Sequence, residues 1–309
     1  MDYIKGLVSV VTPTYKRSEK LPRAIESVLA QTYKQIEMFV VNDNEPNDEF
    51  TQYVKDITAK YANDSRFHLV IQEKHINGAV ARNVAIRQAK GEFIAFLDDD
   101  DWWEPNKIEL QVAKMNELSE DWGGASCRIA RYNNDKLIAK LPKFPSGDVC
   151  MDVLMLRSDF ATGTLLLRHT ALDETGYFDE KLLRHQDLQL LIQFTHKYKL
   201  YQVDEFLHCC DVSDAQNRPN VEKVMTAKKN LFKSVDAIVS SLSPSQRRDI
   251  KAIHRAEIGY VMLKNKMYIK AIPYFLTLLT SYIAFKTELI KIFDGIKRQY
   301  CVKLIFNRL

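Results

Sequence analysis

The chain contains no apolar run long enough to cross a bilayer. Its most apolar stretch, Pro273 to Phe285, falls short of the roughly 20 residues a spanning helix needs and is interrupted by threonine, serine and tyrosine. No Gly-x-Gly-x-x-Gly follows the first strand-like segment, and no Gly-Lys-Ser/Thr occurs anywhere. Both absences argue against ordinary dinucleotide binding and P-loop ATP hydrolysis, whose phosphate cradles depend on those glycines. Cysteine is scarce: Cys127, Cys150 and Cys301 stand alone, and Cys209 adjoins Cys210. An odd number without metal-ligand spacing or a regular framework fits a reducing compartment. Neither zinc-finger spacing nor an aromatic RNA-binding signature is present, so a nucleic-acid partner is not expected. No basic-then-apolar leader is visible, because Met1-Asp2-Tyr3-Ile4-Lys5 runs straight into a strand-like segment. The expectation is a cytoplasmic protein, or one held peripherally on the inner face of the cell membrane. Internal repeats and low-complexity segments are also missing.

What is present is enough chain for one large α/β domain with a smaller helical appendage: 309 residues, 46% of them apolar. The net charge of +4 is unevenly spread. Residues 262–309 hold nine Lys or Arg against two Asp or Glu, a local excess of +7, which leaves −3 for the remainder. A basic end on a nearly neutral body implies an anionic partner surface.

The first hundred residues repeat one pattern of strand, loop and helix. Strand-like runs at Leu7–Val11, Ile36–Val41, Arg66–Ile71 and Phe93–Leu97 alternate with helical periodicity at Leu21–Gln31, about Phe50–Tyr61, and Ala79–Ala89. Short connections of this kind predict parallel pairing covered by helices. The ligand site of such a sheet lies at the carboxyl ends of its strands. Thr12–Tyr15, Asn42–Asn44, Gln72–Asn77 and Asp98–Asp101 would therefore gather along one edge. Further on, Lys107–Leu118 reads as a helix, and Ala125–Tyr132 and Leu137–Leu141 as strands with a turn at Asn133-Asn134. Gly163–Leu167 and Leu200–Val203 also read as strands, and Ala171–Thr175 and Leu188–Thr195 as helices. Beyond Val221 the pattern is almost wholly helical, broken at Ser243-Pro244. The expected organisation is a catalytic domain over residues 1–218 and a basic helical extension over 219–309.

The block Asp98-Asp99-Asp100-Asp101 directly follows the apolar run Phe93–Leu97. Like charges crowded at a buried strand end repel and are penalised by desolvation. A divalent cation, Mg²⁺ or Mn²⁺, held against a phosphate would resolve both costs. A solvated acidic loop before a helix is the alternative reading. Asp43 at the end of the second strand reads by position as an Asx turn. Asn77-Gly78 is a turn, or a place where backbone approaches phosphate. Arg82 is a solvated helix residue or a phosphate partner.

These segments resemble the glycosyltransferases of family 2 with the GT-A fold. The resemblance rests on Val8-Ser9-Val10-Val11-Thr12-Pro13-Thr14-Tyr15, on Ala24 through Thr32, and on Val40-Val41-Asn42-Asp43. It continues in Asn77-Gly78-Ala79-Val80-Ala81-Arg82-Asn83 and in Phe96 through Pro105. Gly176-Tyr177-Phe178-Asp179-Glu180 and His185-Gln186-Asp187-Leu188-Gln189-Leu190 complete it, so that it covers roughly residues 7 to 210. The fold this implies is α/β and GT-A-like. Its Rossmann-related, mostly parallel central sheet is flanked by helices and followed by the C-terminal helical extension.

The likeness implies metal-dependent transfer of a sugar from a nucleotide donor, usually UDP-linked. Asp98 and Asp100 match the outer residues of the DxD signature. Asp98 would lie near the ribose or the metal, Asp100 would ligate the metal, and Asp99 joins the donor-binding set. Asp43 would accept from the uracil N–H. Thr12, Pro13 and Tyr15 would shape the base pocket, and Asn77, Gly78 and Arg82 would lie near the nucleotide. Asp187 matches the catalytic base. The family's usual Glu-Asp is here Gln186-Asp187, which removes one carboxylate but keeps the base. By residue type alone, Asp187 also fits a carboxylate opening a helix. Arg184, His185, His208 and Arg218 are further candidates for contacts to donor, acceptor or metal.

The expected acceptor is a saccharide or a lipid-linked saccharide, with bacterial surface polysaccharide assembly as the associated setting. In the basic extension, Pro273–Leu279 is apolar and aromatic, and Lys286, Lys291, Lys297, Arg298, Lys303 and Arg308 follow. Helices lying on an anionic membrane, a cap on the catalytic domain and a homodimer interface all fit that pattern. A metal-dependent nucleotidyltransferase and a non-catalytic nucleic-acid- or sugar-binding module are the rival functional readings.

Overall fold

The computed structural model describes residues 3–16, 19–157, 160–213 and 220–290. The chain divides into two compact units, Met1–Val149 with Phe160–Ser213, and Cys150–Asp159 with Asp214–Leu309.

The first unit begins with four strands and three helices in alternation: β1 (Ile4–Thr14), α1 (Leu21–Leu29), β2 (Ile36–Asn42), α2 (Glu49–Thr58), β3 (Phe67–Ile71), α3 (Gly78–Ile86) and β4 (Gly91–Phe96). β1 pairs in parallel with both β2 and β4, and β2 with β3. Buried on both faces, such strands need near-continuous apolar sequence. Val8, Val10, Met38, Val40, Phe93 and Ala95 supply it and pack against Leu21, Ala24, Ile25 and Val28 of α1.

The rest of the sheet is mixed. After β5 (Trp102–Trp103) and α4 (Lys107–Glu117) come β6 (Trp122–Asn133), β7 (Lys136–Lys140), the short α5 (Cys150–Leu154), β8 (Leu166–Arg168), α6 (His169–Thr175), α7 (Gln186–Lys197) and β9 (Lys199–Asp211). The strand order is β3-β2-β1-β4-β8-β6-β9-β5, with β7 beside β6. β8 runs antiparallel to β4 and β6, whereas β9 runs parallel to β6.

Three elements differ from the sequence pattern, each for a local reason. Residues Thr162–Thr164 form a 3-10 turn rather than strand. Their carbonyls are taken by side chains, with Trp103 Nε1 donating to Gly163 O at 2.8 Å and Gln111 Nε2 to Thr164 O at 2.8 Å. β9 extends eight residues past its apolar start because its polar part is partnered, Asp204 lying 3.1 Å from both Arg128 and Lys143. Trp102-Trp103, where no strand is read in the sequence, pairs with Cys209 and His208 of β9.

Lys107 is fully buried at the start of α4. Its Nζ donates to Gln111 Oε1 at 2.7 Å and lies 3.9 Å from the centre of the Trp103 ring. Burial pushes its pKa down to about 8. Between that value and the ordinary lysine value of about 10.4, the unfolded chain holds a proton that the folded chain has released. Stability must therefore rise with pH across that window. Measured by urea denaturation, the stability of the native chain relative to Lys107→Met should climb by up to about 1.4 kcal/mol per pH unit there. A flat difference would mean that the ammonium is stably charged in the core.

The second unit continues with α8 (Val221–Ser234), α9 (Asp236–Ser241), α10 (Pro244–Lys264) and α11 (Tyr268–Leu276). The expected break at Ser243-Pro244 is a helix start. Ser243 Oγ accepts from Gln246 N while Gln246 Oε1 accepts from Ser243 N, a reciprocal cap. Val221, Val224, Ile258, Met262 and Ala271 form this unit's core.

Candidate active site

The parallel strands bring their carboxyl ends together. Asp43 N donates to Thr14 O at 2.9 Å, Gln72 N to Asn42 O at 3.1 Å and Leu97 N to Val11 O at 3.0 Å. The three segments expected beside β1 are thereby fixed along one edge.

Asp43 is buried just past β2. Its Oδ1 accepts from Gln72 Nε2 at 2.5 Å and from Ile76 N at 3.2 Å, and its Oδ2 lies 3.1 Å from His75 Nδ1. Burial raises its pKa, and the hydrogen bonds from Ile76, His75 and Gln72 oppose that rise. A carboxylate offers about four acceptor positions, so these three partners leave one. His75 also stacks on Tyr15, ring centres 4.0 Å apart and 13° from parallel. Tyr15 is 38% exposed, Pro13 is half-buried and Thr12 is fully buried. The Thr12 hydroxyl has no hydrogen-bond partner among the described residues.

The aspartate block alternates. Asp98 and Asp100 are half-exposed, whereas Asp99 and Asp101 are buried. Each buried carboxylate has a protein partner. Thr14 Oγ1 donates to Asp99 Oδ2 at 2.7 Å, and Asp211 N donates to Asp101 Oδ1 at 2.8 Å. The block forms a turn, Asp101 N donating to Asp98 O at 3.2 Å, in which these partners hold one pair inward and the outer DxD pair stays half-exposed. Arg82 Nη2 reaches Asp98 Oδ1 at 2.5 Å, and Arg23 Nη2 donates to the Asp100 carbonyl at 3.3 Å.

Arg82 passes close over Gly78, one turn before it, and its Nη1 donates to Gly78 O at 3.2 Å. A Cβ there would lie 2.9 Å from Arg82 Nη1. Asn77 caps α3, its Oδ1 accepting from Ala79 N at 2.9 Å and Val80 N at 3.1 Å. Its Nδ2 donates to Glu180 O at 2.9 Å. Asn83 donates to Phe178 O and Glu180 Oε1, both at 2.9 Å. The segment Gly176–Glu180 therefore ties α3 to the residues leading into α7.

Asp187 stands in the first turn of α7, after His185 in the left-handed region at φ 61°. Among the described residues its carboxylate makes no hydrogen bond or ion pair. It lines a cavity of about 200 Å³ together with Arg82, Asp98, Thr162, Phe178 and Leu183. The cavity thus joins the candidate base to the candidate metal ligand across 89 residues of sequence. Gln186, the departure from Glu-Asp, donates from Nε2 to Leu182 O at 2.6 Å. A glutamate would set a carboxylate against that carbonyl oxygen, so the amide suits this loop.

Asp98 and Asp100 offer hard oxygen donors on the open side of the strand end, which suits Mg²⁺ or Mn²⁺. His208 is fully buried, 3.1 Å from Asp101 Oδ2. Asp101, His208 and Cys210 place one potential ligand atom each within 4.8 Å of one another. Trp103 is buried, and Trp102 lies between Arg23, 3.8 Å above its ring, and Tyr132. Arg218 lies outside the described residues. Thr14, Gln72 and His75 were not singled out in the sequence; the only signal for His75 is its place in the loop after β3, two residues before Asn77-Gly78.

A parallel sheet edge with an acidic strand end, facing a carboxylate at a helix start, is consistent with a GT-A-like fold. The family model "Glycosyl transferase family 2" matches residues 9–177, more than half of the chain, and the chain belongs to that family. It is 40% identical over 116 residues to the putative teichuronic acid biosynthesis glycosyltransferase TuaG of Bacillus subtilis, covering 37% of this chain and 44% of that protein. It is 35% identical over 136 residues to the UDP-Glc:alpha-D-GlcNAc-diphosphoundecaprenol beta-1,3-glucosyltransferase WfgD of Escherichia coli, covering 43% of this chain and 50% of that one. The matches therefore span about half the length of these curated relatives. Among solved structures, S. aureus TarS 1-349 in complex with UDP-GlcNAc superposes with a TM-score of 0.55 at 17% identity, over 87% of this chain and 89% of that one. The mannosyltransferase PcManGT from Pyrobaculum calidifontis, with GDP-Man and Mn2+, gives 0.56 at 18% identity, over 96% and 82%. At these identities the structural likeness concerns the fold.

Proposed function

We propose that this protein is an inverting, metal-dependent glycosyltransferase that moves a sugar from a UDP-linked donor to a saccharide or lipid-linked saccharide acceptor. The observation that carries the reading is the shared cavity in which Asp187 faces Asp98 and Arg82. Asp43 retains one acceptor position for a ring N–H of the base, which uracil offers and cytosine does not. Tyr15 and His75 supply flat faces beside it. A dication held by Asp98 and Asp100 would neutralise charge developing on the departing diphosphate. Arg82, oriented by Asp98, adds a fixed positive charge on the same side. Asp187 accepts the proton of the acceptor hydroxyl as that oxygen attacks. Attack from the side opposite the leaving group inverts the anomeric carbon in one displacement.

The saccharide acceptor is supported by the relatives named for teichuronic acid synthesis and for glucosyl transfer to a diphosphoundecaprenol-linked sugar. The test is a screen of UDP-, GDP- and dTDP-sugars for release of the nucleoside diphosphate, with and without Mn²⁺. Metal-stimulated UDP release with one UDP-sugar is expected. Pyrophosphate release would instead identify a nucleotidyltransferase, and no turnover with retention on phosphate polymers would identify a binding module.

A further inference from the structure

We propose that the outer face of α11 and the residues after it form a docking surface for an anionic lipid bilayer. The inference deepens the proposed function by naming the surface on which the enzyme works, but its observations stand apart from the active site.

α11 is apolar or aromatic at every position except Lys270. Its inner side packs Ala271, Tyr274 and Phe275 against Val221, Val224, Ile258 and Met262. Its outer side shows solvent Tyr268 at 62%, Ile269 at 83% and Ile272 and Leu276 at 54% each. Leu279, in the 3-10 turn Thr277–Thr280, and Tyr282, Ile283 and Phe285 beyond it extend this exposed set. A helix this apolar on both its inner and outer sides belongs in a core or in lipid. So many large apolar side chains in one stretch exceed the scattered exposure normal for a protein surface.

The charge in this stretch has one sign. Residues 262–290 contain Lys264, Lys266, Lys270 and Lys286, all exposed, and one acidic residue, Glu288, which is buried. Glu288 is turned toward Tyr260, whose pKa rises to about 12 through its own burial and through that carboxylate. Every exposed formal charge here is therefore positive. A second copy of the chain fits this poorly, because a two-fold interface would present the basic patch to itself. An anionic headgroup layer complements it, with the apolar side chains entering the acyl boundary.

Tyr268–Thr280 and Tyr282–Ile290 are together long and apolar enough to cross a membrane, and it is their sharp bend that points to an interfacial placement. Among the described residues no single helix is long and apolar enough to cross a membrane. Tyr268–Thr280 and Tyr282–Ile290 meet at a bend of 116°. Beside α11 lies a cavity of about 660 Å³, with Met225, Met262, Met267, Pro273 and Tyr274 on its apolar side and Asn220, Asn265, Glu222 and Lys270 on its polar side. Of the basic residues expected at this surface, Lys291, Lys297, Arg298, Lys303 and Arg308 lie outside the described residues.

The test is co-sedimentation of the full chain with vesicles of phosphatidylcholine alone, or with about a third phosphatidylglycerol, an anionic fraction that draws basic segments. Binding to the anionic vesicles, weakened by salt, is expected. The triple variant Ile269→Ser/Ile272→Ser/Leu279→Ser and the double variant Lys266→Gln/Lys270→Gln should each lower partitioning by about 10-fold or more. All four lysine and isoleucine positions and Leu279 are exposed, so helical content should be unchanged. Equal partitioning of native chain and variants would overturn the proposal, as would a patch-dependent dimer that ignores vesicles. Loss of sugar transfer with intact vesicle binding would fault the active-site reading alone.

Discussion

Replacing Asp187 with asparagine is expected to lower sugar transfer by about 10²- to 10⁴-fold, the range for removing a positioned general base, while UDP binds as before. The expectation follows from what surrounds the carboxylate. Among the described residues it has no internal partner, and it opens onto the same cavity as Asp98 and Arg82. A carboxylate at a helix start is ordinarily explained by capping or by the helix dipole. Here the α7 N-cap residue, His185, makes no side-chain cap bond, and Asp187 is not engaged in its place. Asparagine keeps the shape and loses only the capacity to take a proton. The check is UDP release measured beside UDP affinity by calorimetry. Turnover at the native rate would remove Asp187 from the chemistry, and a parallel loss of UDP affinity would make it a binding residue.

How much of this was legible in the sequence depended on how local each signal was. β1, β2 and β4 were readable because strands buried on both faces are nearly continuous apolar runs, and α1 and α3 because their apolar residues keep helical spacing. The acidic block was conspicuous for the same reason, as a charge cluster at the end of such a run. Its internal division was not readable. Asp99 is turned inward by the Thr14 hydroxyl and Asp101 by the Asp211 amide, partners 85 and 110 residues away. Likewise nothing near Gln186 in sequence reveals that its amide serves the Leu182 carbonyl. The second half of β9 escaped because its charges are neutralised by Arg128 and Lys143 on neighbouring segments. Local apolar periodicity can be read from one segment; polar satisfaction across segments becomes visible only when the chain is folded.

The alternation within the aspartate block yields the second large effect. Asp100→Asn is expected to weaken Mn²⁺ binding and to lower transfer by about 10²- to 10³-fold, the cost of losing one preorganised charge contact in a transition state. Treatment of the native chain with a chelator should remove activity, and added Mn²⁺ should restore it. Asp101 supplies the internal control, since it sits next to Asp100 but faces inward. Asp101→Ala would leave the Asp211 N–H without its acceptor, which costs about 1–3 kcal/mol and should appear as a lowered unfolding midpoint. Asp100 is half-exposed where Asp101 is buried, so Asp100→Asn should lower that midpoint less. Opposite signatures at adjacent positions would separate a metal-facing carboxylate from a structural one. Activity that survives chelation, or an Asp100→Asn protein that turns over at the native rate, would take the cation out of the mechanism and return the acidic strand end to a structural role.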